Sequence, residues 1–489
     1  MDETLVHRII AAVARNPAAP AFVYRGEVLQ HRHLLALICV AAATLRDKGV
    51  RGGEYIGVSM AASPLHCAAV LALARLGAVI VPVMNTWEPA VKSALAAKYG
   101  IRFLLTDIPD EAIAGVPTLW MDTVNIGRES DLESLGPWPG PEAPLRLALT
   151  SGTTGAPKGV LHSHRDFLHR MDLTATDCDA RARLLPPDLR VTVALMFALG
   201  ALAGGGCVVF PRSIAPQDLV TAVNLHGVTH WLLAPNAVAQ VEAAMRFEGC
   251  HFPSLRHLRI VGATPTPRML ETLRTRFSPN VYVPYGLTEI GPVSMATPEV
   301  LAQAPQSAGH VLPGVEVQIV DEQGRAVPQG SGGELRVRTP RMPAGYHREP
   351  PGAHAQFRDG WFYPGDLARL SPEGLLFIEG RLDDVINLGG LKVSPGYVEE
   401  VLTRHPRVRE AAVFAWQPAG GELRLAAAIV ADGKPSGREI LAASRETLMQ
   451  FTPERVVFVD ALPRHASGKL DRTRVPSLAA PQLAAAPAA

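Results

Sequence analysis

The first third of the chain alternates between two spacings of apolar residues. LVHRIIAAVARNP at 5–17 has helical spacing and ends at Pro17. AFVYRG at 21–26 predicts a short strand, and HRHLLALICVAAATLRDKG at 31–49 a second helix closed by Gly49. YIGVSM, LHCAAVLALARLGA and VIVPV then read as strand, helix and strand, with IRFLLTD as a further strand. This rhythm predicts a layered α/β domain with largely parallel sheets.

The texture changes further on. Residues 121–144 are rich in Pro, Gly and acids and read as a surface loop. From 306 to 380, VEVQIVDEQG, GELRVRTP and GLLFIEG are short alternating strands separated by Gly turns. From 381, YVEEVLTRHP and REILAASRETL read as helices, and EAAVFAW, LRLAAAIVAD and RVVFVDALP as strands. The expected class is α/β: a large N-terminal domain at 1–380 with a β-rich subdomain at 306–380, then a small, mobile α+β domain at 381–478. The low-complexity end, 479–489, is expected to be a disordered tail.

Composition narrows the picture. Lys and Arg number 47 against 46 Asp and Glu in 489 residues, which argues against a polybasic nucleic-acid surface. Cys39, Cys67, Cys178, Cys207 and Cys250 are scattered and odd in number, which suits reduced thiols and a cytoplasmic setting. VTVALMFALGALAGGGCVVFP at 191–211 is long enough to span a bilayer, but Gly204, Gly205 and Gly206 divide it into a helix, a turn and a buried strand, so no membrane span is expected.

The most informative stretch is LALTSGTTGAPKGV at 147–160. An apolar strand runs into Thr150, Ser151, Gly152, Thr153, Thr154 and Gly155, followed by Lys158. Small residues let backbone N–H groups approach an anion, four hydroxyls add donors, and the lysine adds charge, which together suit a polyphosphate. The spacing differs from a Walker motif.

TSGTTGAPKG resembles the phosphate loop of the adenylate-forming enzymes: acyl- and aryl-CoA synthetases, peptide-synthetase adenylation domains and luciferases. Further segments resemble that family's motifs in the family's order. Gly262, Ala263 and Thr264 resemble the loop along the adenine. Tyr285-Gly286-Leu287-Thr288-Glu289 resembles Y-G-x-T-E, which implies stacking by Tyr285, phosphate binding by Thr288 and Mg²⁺ binding by Glu289. Gly333-Glu334-Leu335 and Gly345-Tyr346 resemble the β-subdomain signature. Tyr363-Pro364-Gly365-Asp366-Leu367 implies that Asp366 takes the ribose hydroxyls, and Gly380-Arg381-Leu382-Asp383-Asp384 implies a hinge at Asp383 with Arg381 reaching the ribose. Pro463-Arg464-His465-Ala466-Ser467-Gly468-Lys469 implies a catalytic lysine at 469, and Gly389 with Gly390 implies the wall of a pantetheine tunnel.

The resemblance implies two half-reactions, with ATP, Mg²⁺ and coenzyme A as participants. A carboxylate attacks the α-phosphate of ATP, giving acyl-AMP and pyrophosphate; a thiol then displaces AMP. Fixed cations answer the charge in the first step, so Lys469, Lys158 and a Mg²⁺ on Glu289 are its expected agents.

The chain departs from the pattern in places. Asn387 stands where a lysine is common, Tyr397 where Glu is usual, and 194–200 carries no His. An Asp that would hold an α-ammonium is also missing there, and an unpaired ammonium in so apolar a stretch is costly, so an acid without an α-amino group is expected. Phe197, Trp231, Ala234 and Val261 are candidate walls of an apolar acid pocket, with Asn236 its polar member; Phe197 and Trp231 equally suit plain core. The leading reading is an AMP-forming ligase that joins a hydrophobic or aromatic acid to CoA. The alternatives are an adenylating enzyme that loads a carrier-protein thiol in trans, and a non-catalytic ligand binder.

Overall fold

The computed structural model describes residues 3–121, 131–150, 157–175, 177–245, 249, 251–262, 264–350, 355–388, 391–418, 423–433, 435–464 and 470–485. A large N-terminal domain holds two sheets with helices packed between them. The first sheet runs Thr118–Trp120, Ile101–Thr106, Tyr55–Ser59, Val79–Pro82, Pro144–Thr150 and Lys158–Ser163. Its pairs are parallel except the last, an antiparallel hairpin in which Thr150 faces Lys158. The parallel part of the second sheet runs Pro20–Tyr24, Cys207–Val209, Arg183–Leu185, His230–Leu233, His257–Ile260 and Val281–Leu287.

Helices Leu5–Arg15, His31–Asp47, Pro64–Arg75, His164–Thr174 and Thr192–Ala203 belong to the layer between the sheets. One apolar cluster joins Ile56, Ile80 and Phe103 of the first sheet to Phe22, Leu184 and Leu232 of the second. Every residue of Pro64–Arg75 except Leu65 is buried, and its many alanines let it sit between two apolar faces. The segment after Arg190 resolves as its glycines suggest, into helix Thr192–Ala203, a turn and strand Cys207–Val209. Among the described residues no helix is long and apolar enough to cross a membrane.

Beyond Val281–Leu287 the second sheet turns antiparallel, through Gly291–Ala296, Gly309–Val311, Leu375–Arg381, Asp366–Leu370 and Gly332–Arg338. The smaller C-terminal domain has a three-stranded sheet, Val408–Trp416, Arg424–Ala431 and Arg455–Phe458, covered by Pro395–Thr403 and Gly437–Leu448. The expected disordered tail at 479–489 is corrected over its first part: helix Val475–Ala485 covers 479–485, and 486–489 lie outside the described residues. Val475 and Ala479 are buried and Leu483 half-buried against Phe414 and Val457. Their spacing of four forms an apolar stripe, and alanine's helix propensity supports it.

Strand alternation decides the fate of two aromatic candidates. In His230–Leu233, Trp231 and Leu233 point into one cluster and Leu232 into the other. Trp231 lies edge-on to Phe252, with ring centroids 5.4 Å apart, and is only 1% exposed. Phe197 is buried in the inter-sheet cluster, with the Arg259 guanidinium 4.4 Å above its ring. The two rings therefore lie on opposite faces of the strand and both belong to core.

Trp231→Ala should cost about 3–5 kcal/mol of stability, the usual range for an aromatic truncated in a packed core. Urea unfolding checks this; a variant with wild-type stability would return Trp231 to the pocket.

Candidate active site

Strand Val281–Leu287 positions the centre of the site. It pairs in parallel with His257–Ile260 through Val281 and Tyr282, then antiparallel with Gly291–Ala296 from Val283 onward. The register shifts between Tyr285 and Gly286, and such irregularities re-aim side chains. The Tyr285 hydroxyl donates to Asp366 Oδ2 at 2.5 Å. Arg381 Nη1 donates to Asp366 Oδ1 at 2.9 Å and to the Pro364 carbonyl at 2.7 Å. Asp366 and Arg381 face each other across adjacent strands, so register alone makes this pair. Burial first, and then Asp366, pushes the Tyr285 hydroxyl well above its ordinary range and keeps it a donor.

A second group gathers at the turn that follows. The Tyr346 hydroxyl lies 2.8 Å from Glu289 Oε1 and 2.8 Å from Gln356 Oε1. Lys158 Nζ sits 5.1 Å from the centre of the Tyr346 ring. The His347 N–H donates to the Gly159 carbonyl at 2.7 Å, tying this loop to the hairpin strand that begins at Lys158. Glu289, Thr288 and Lys158 thus come to one place from two sheets.

The remaining candidates fall as follows. Thr150 ends its strand opposite Lys158. Ser151, Gly152, Thr153, Thr154, Gly155, Ala263, Gly389, Gly390 and Lys469 lie outside the described residues. Either side of 465–469 the chain is joined by a bridge between Arg464 and Leu470. Gly262 has φ 96°, a left-handed conformation that favours glycine, and nothing lies within 4 Å of where a Cβ would sit. Thr264 is exposed nearby. Ala234 and Val261 meet at the carboxyl ends of their strands, where the Val261 N–H donates to the Leu233 carbonyl at 3.0 Å. Asn236 falls in the first turn of Pro235–Ala244, and its side chain lies outside the described residues. Asp383 lies in the short 3₁₀ turn Leu382–Asp384 with its side chain 88% exposed.

The donor set suits the groups that the resemblance implies. Glu289 and Thr288 offer hard oxygen atoms of the kind Mg²⁺ takes. Asp366 already accepts two bonds, and a carboxylate has about four lone-pair sites, so capacity remains for hydroxyl donors.

Sequence reasoning missed two contributors. In the sequence Tyr346 stands only as part of a signature, and only the fold brings it to Glu289. Arg170 is buried on helix His164–Thr174 and donates to the Thr288 carbonyl at 3.0 Å and the Glu289 carbonyl at 2.7 Å. A signal was present, since Phe167, Leu168, Arg170, Met171 and Thr174 share the buried side of that helix. Burial lowers the guanidinium to about 10, which still leaves it charged at neutral pH.

Arg170→Met keeps much of the bulk and strands two carbonyls. A loss of about 1–3 kcal/mol for each unpaired group is expected. Denaturant midpoints measure it, and an unchanged midpoint would mean that Arg170 does not hold the turn.

Comparison with known proteins agrees with this geometry. The AMP-binding enzyme profile matches residues 10–347, and the AMP-binding enzyme C-terminal domain profile matches 397–469. The chain is 28% identical to an indoleacetate–CoA ligase of Aromatoleum aromaticum, over 95% of this chain and 96% of that one. Its structure resembles the amide bond synthetase McbA of Marinactinospora thermotolerans, with TM-score 0.85 and 27% identity, covering 97% of this chain and 99% of that one. It also resembles the o-succinylbenzoate CoA synthetase MenE of Bacillus subtilis in complex with an acyl-adenylate intermediate, with TM-score 0.82 and 25% identity over 96% and 97% of the two chains. With profiles covering both domains and CoA ligases among the relatives matched along nearly their whole length, the chain belongs to the AMP-binding enzyme family, as an AMP-forming ligase of the acyl- and aryl-CoA type.

Proposed function

We propose that this protein activates an apolar or aromatic carboxylic acid lacking an α-amino group as its acyl-adenylate and passes the acyl group to the thiol of coenzyme A. The observation that carries the reading is the strand Val281–Leu287, which presents Tyr285 to Asp366 and leads directly into Glu289 beside Lys158.

In the first half-reaction the carboxylate attacks the α-phosphate of ATP and pyrophosphate leaves. Tyr285 offers a ring face for adenine beside the open turn at Gly262, and Asp366 with Arg381 takes the ribose hydroxyls. Thr150, Ser151, Gly152, Thr153, Thr154 and Gly155 surround the phosphates, with Lys158 at the end of the loop. Thr288 binds phosphate, and Glu289 would hold Mg²⁺, which when bound supplies neutralising charge to the phosphates. Lys469 aligns the two anions that must meet. The acid lies near Ala234, Val261 and Asn236, at the carboxyl ends of parallel strands, where such sheets bind ligands. In the second half-reaction the thiol adds at the acyl carbon and AMP departs, with Gly389 and Gly390 along its path.

Pyrophosphate exchange across a panel of aryl and alkyl acids tests the substrate class. Exchange driven best by α-amino acids would overturn it. Thioester formation with CoA, compared with a phosphopantetheinylated carrier protein, tests the acceptor.

Lys469→Ala should abolish pyrophosphate exchange yet convert supplied acyl-AMP to thioester at near the wild-type rate. Equal losses in both assays would make the lysine structural.

The hinge has its own test. Leu382–Asp384 is a 3₁₀ turn, a conformation whose φ proline shares. Asp383→Pro should therefore fit the observed turn and oppose rotation out of it. One half-reaction should persist and the other fall by orders of magnitude; losing both, or neither, would overturn the hinge.

A further inference from the structure

A cluster of metal-ligating side chains lies at the opposite ends of the strands that carry the acid site. His230 opens strand His230–Leu233 and His257 opens the neighbouring parallel strand His257–Ile260, and the two are paired in register. Parallel register sets their side chains on one face about 4.8 Å apart, the spacing between strands. The rings accordingly stack, with centroids 4.7 Å apart and planes 12° from parallel. Asp177, just after helix His164–Thr174, reaches up to both rings. Its Oδ2 is 3.2 Å from His230 Nε2 and 2.8 Å from His257 Nδ1.

These separations have the length of hydrogen bonds without the direction. Asp177 Oδ2, His230 Nε2 and His257 Nδ1 are buried with no hydrogen-bond partner among the described residues. Leaving three such atoms unsatisfied is costly. The surrounding contacts hold the other ends of these side chains. His230 Nδ1 lies 2.7 Å from Thr229 Oγ1, which engages the ring's other nitrogen. Arg259 Nη2 lies 2.6 Å from Asp177 Oδ1, which leaves Oδ2 to the imidazoles. Tyr282 stacks on the outer side of His257 at 4.8 Å. Such outer contacts are how proteins aim metal ligands.

We propose that Asp177, His230 and His257 bind one divalent cation of the zinc class, separate from the magnesium and nucleotide of the reaction. Two imidazoles and a carboxylate form a donor set for Zn²⁺ or Co²⁺ and a poor one for Mg²⁺ or Ca²⁺. The three ligand atoms all lie within 4.8 Å of one another. Tetrahedral zinc with bonds of 2.0–2.1 Å places its ligands about 3.4 Å apart, so the separations fit, and the two imidazoles turn out of their stack to share one ion.

The strands separate this site from the acid pocket. Ala234 is four residues on from His230, about 13 Å along a strand. The ion therefore takes no part in acyl transfer. It pins the segment after helix His164–Thr174 to two central strands of the second sheet, and that helix carries Arg170.

The full-length protein, stripped with a chelator and free of ATP and Mg²⁺, is titrated with Zn²⁺ by calorimetry. One ion per chain and a raised melting temperature are expected, because an ion that binds only the folded state stabilises it by mass action. Co²⁺ in its place should give visible d–d absorption. His257→Ala should abolish both signals while the stripped variant retains pyrophosphate exchange. Thr229→Val, which keeps all three ligands, should weaken binding by about 10- to 100-fold. Less than one ion bound by the wild-type chain, or Zn²⁺ binding unchanged in His257→Ala, would overturn the proposal and leave the cluster as an ion-pair network around Arg259. Because the binding readouts need no substrate, failure here is distinguishable from failure of the proposed ligase activity.

Discussion

The active region depends on the double pairing of strand Val281–Leu287. Its first two residues complete the parallel sheet and its remainder begins the antiparallel one. The strand is therefore held from both sides and cannot slide without breaking both ladders. Register is strictly specified where both partners are buried. The irregularity after Tyr285 occurs where the two kinds of sheet join, and the chain then turns through Thr288 and Glu289. The aromatic, hydroxyl and carboxylate groups of the site share this origin.

The polar groups around that seam make a network whose members come from distant parts of the chain. Asp366 is only 5% exposed, and a buried carboxylate is costly unless it is bonded. Tyr285 and Arg381 supply those bonds from two other strands. Arg170, from a helix in the inter-sheet layer, supports the turn at Thr288 and Glu289 from beneath. Each contact satisfies a group that would otherwise be stranded, so stability and positioning are the same set of interactions.

The junction with the small domain repeats the theme. Gly380 has φ 146°, and a Cβ there would lie 2.5 Å from Ser394 Oγ, a hydroxyl that donates to the Glu379 carbonyl at 2.7 Å. Arg472 joins Asp384 at 2.9 Å and Glu399 at 2.7 Å. Arg268 of the large domain donates to the Pro406 carbonyl at 3.1 Å and pairs with Asp432. Gly396 likewise lies close to the Glu379 carbonyl, while the Arg268 contacts are polar and exposed. Polar contacts of this kind exchange readily with water.

The sequence by itself determined what depends on neighbouring residues. The alternation of helix and strand, the change to short β-strands after 306, and the hydroxyl-rich loop between Leu149 and Lys158 are local patterns, and so are the motifs that carry the family resemblance. Tertiary structure decided which faces meet. Periodicity puts Trp231 and Leu232 on opposite sides of a strand, but not which side meets a helix and which a ligand. Composition alone makes 479–489 a loose tail, whereas Val475, Ala479 and Leu483 find an apolar sheet to cover through Ala485. Tyr346 reaches Glu289, and His257 reaches His230, only because strand order brings them together. A local pattern fixes the conformation of a segment, while contact between segments is set by burial and register across the whole chain.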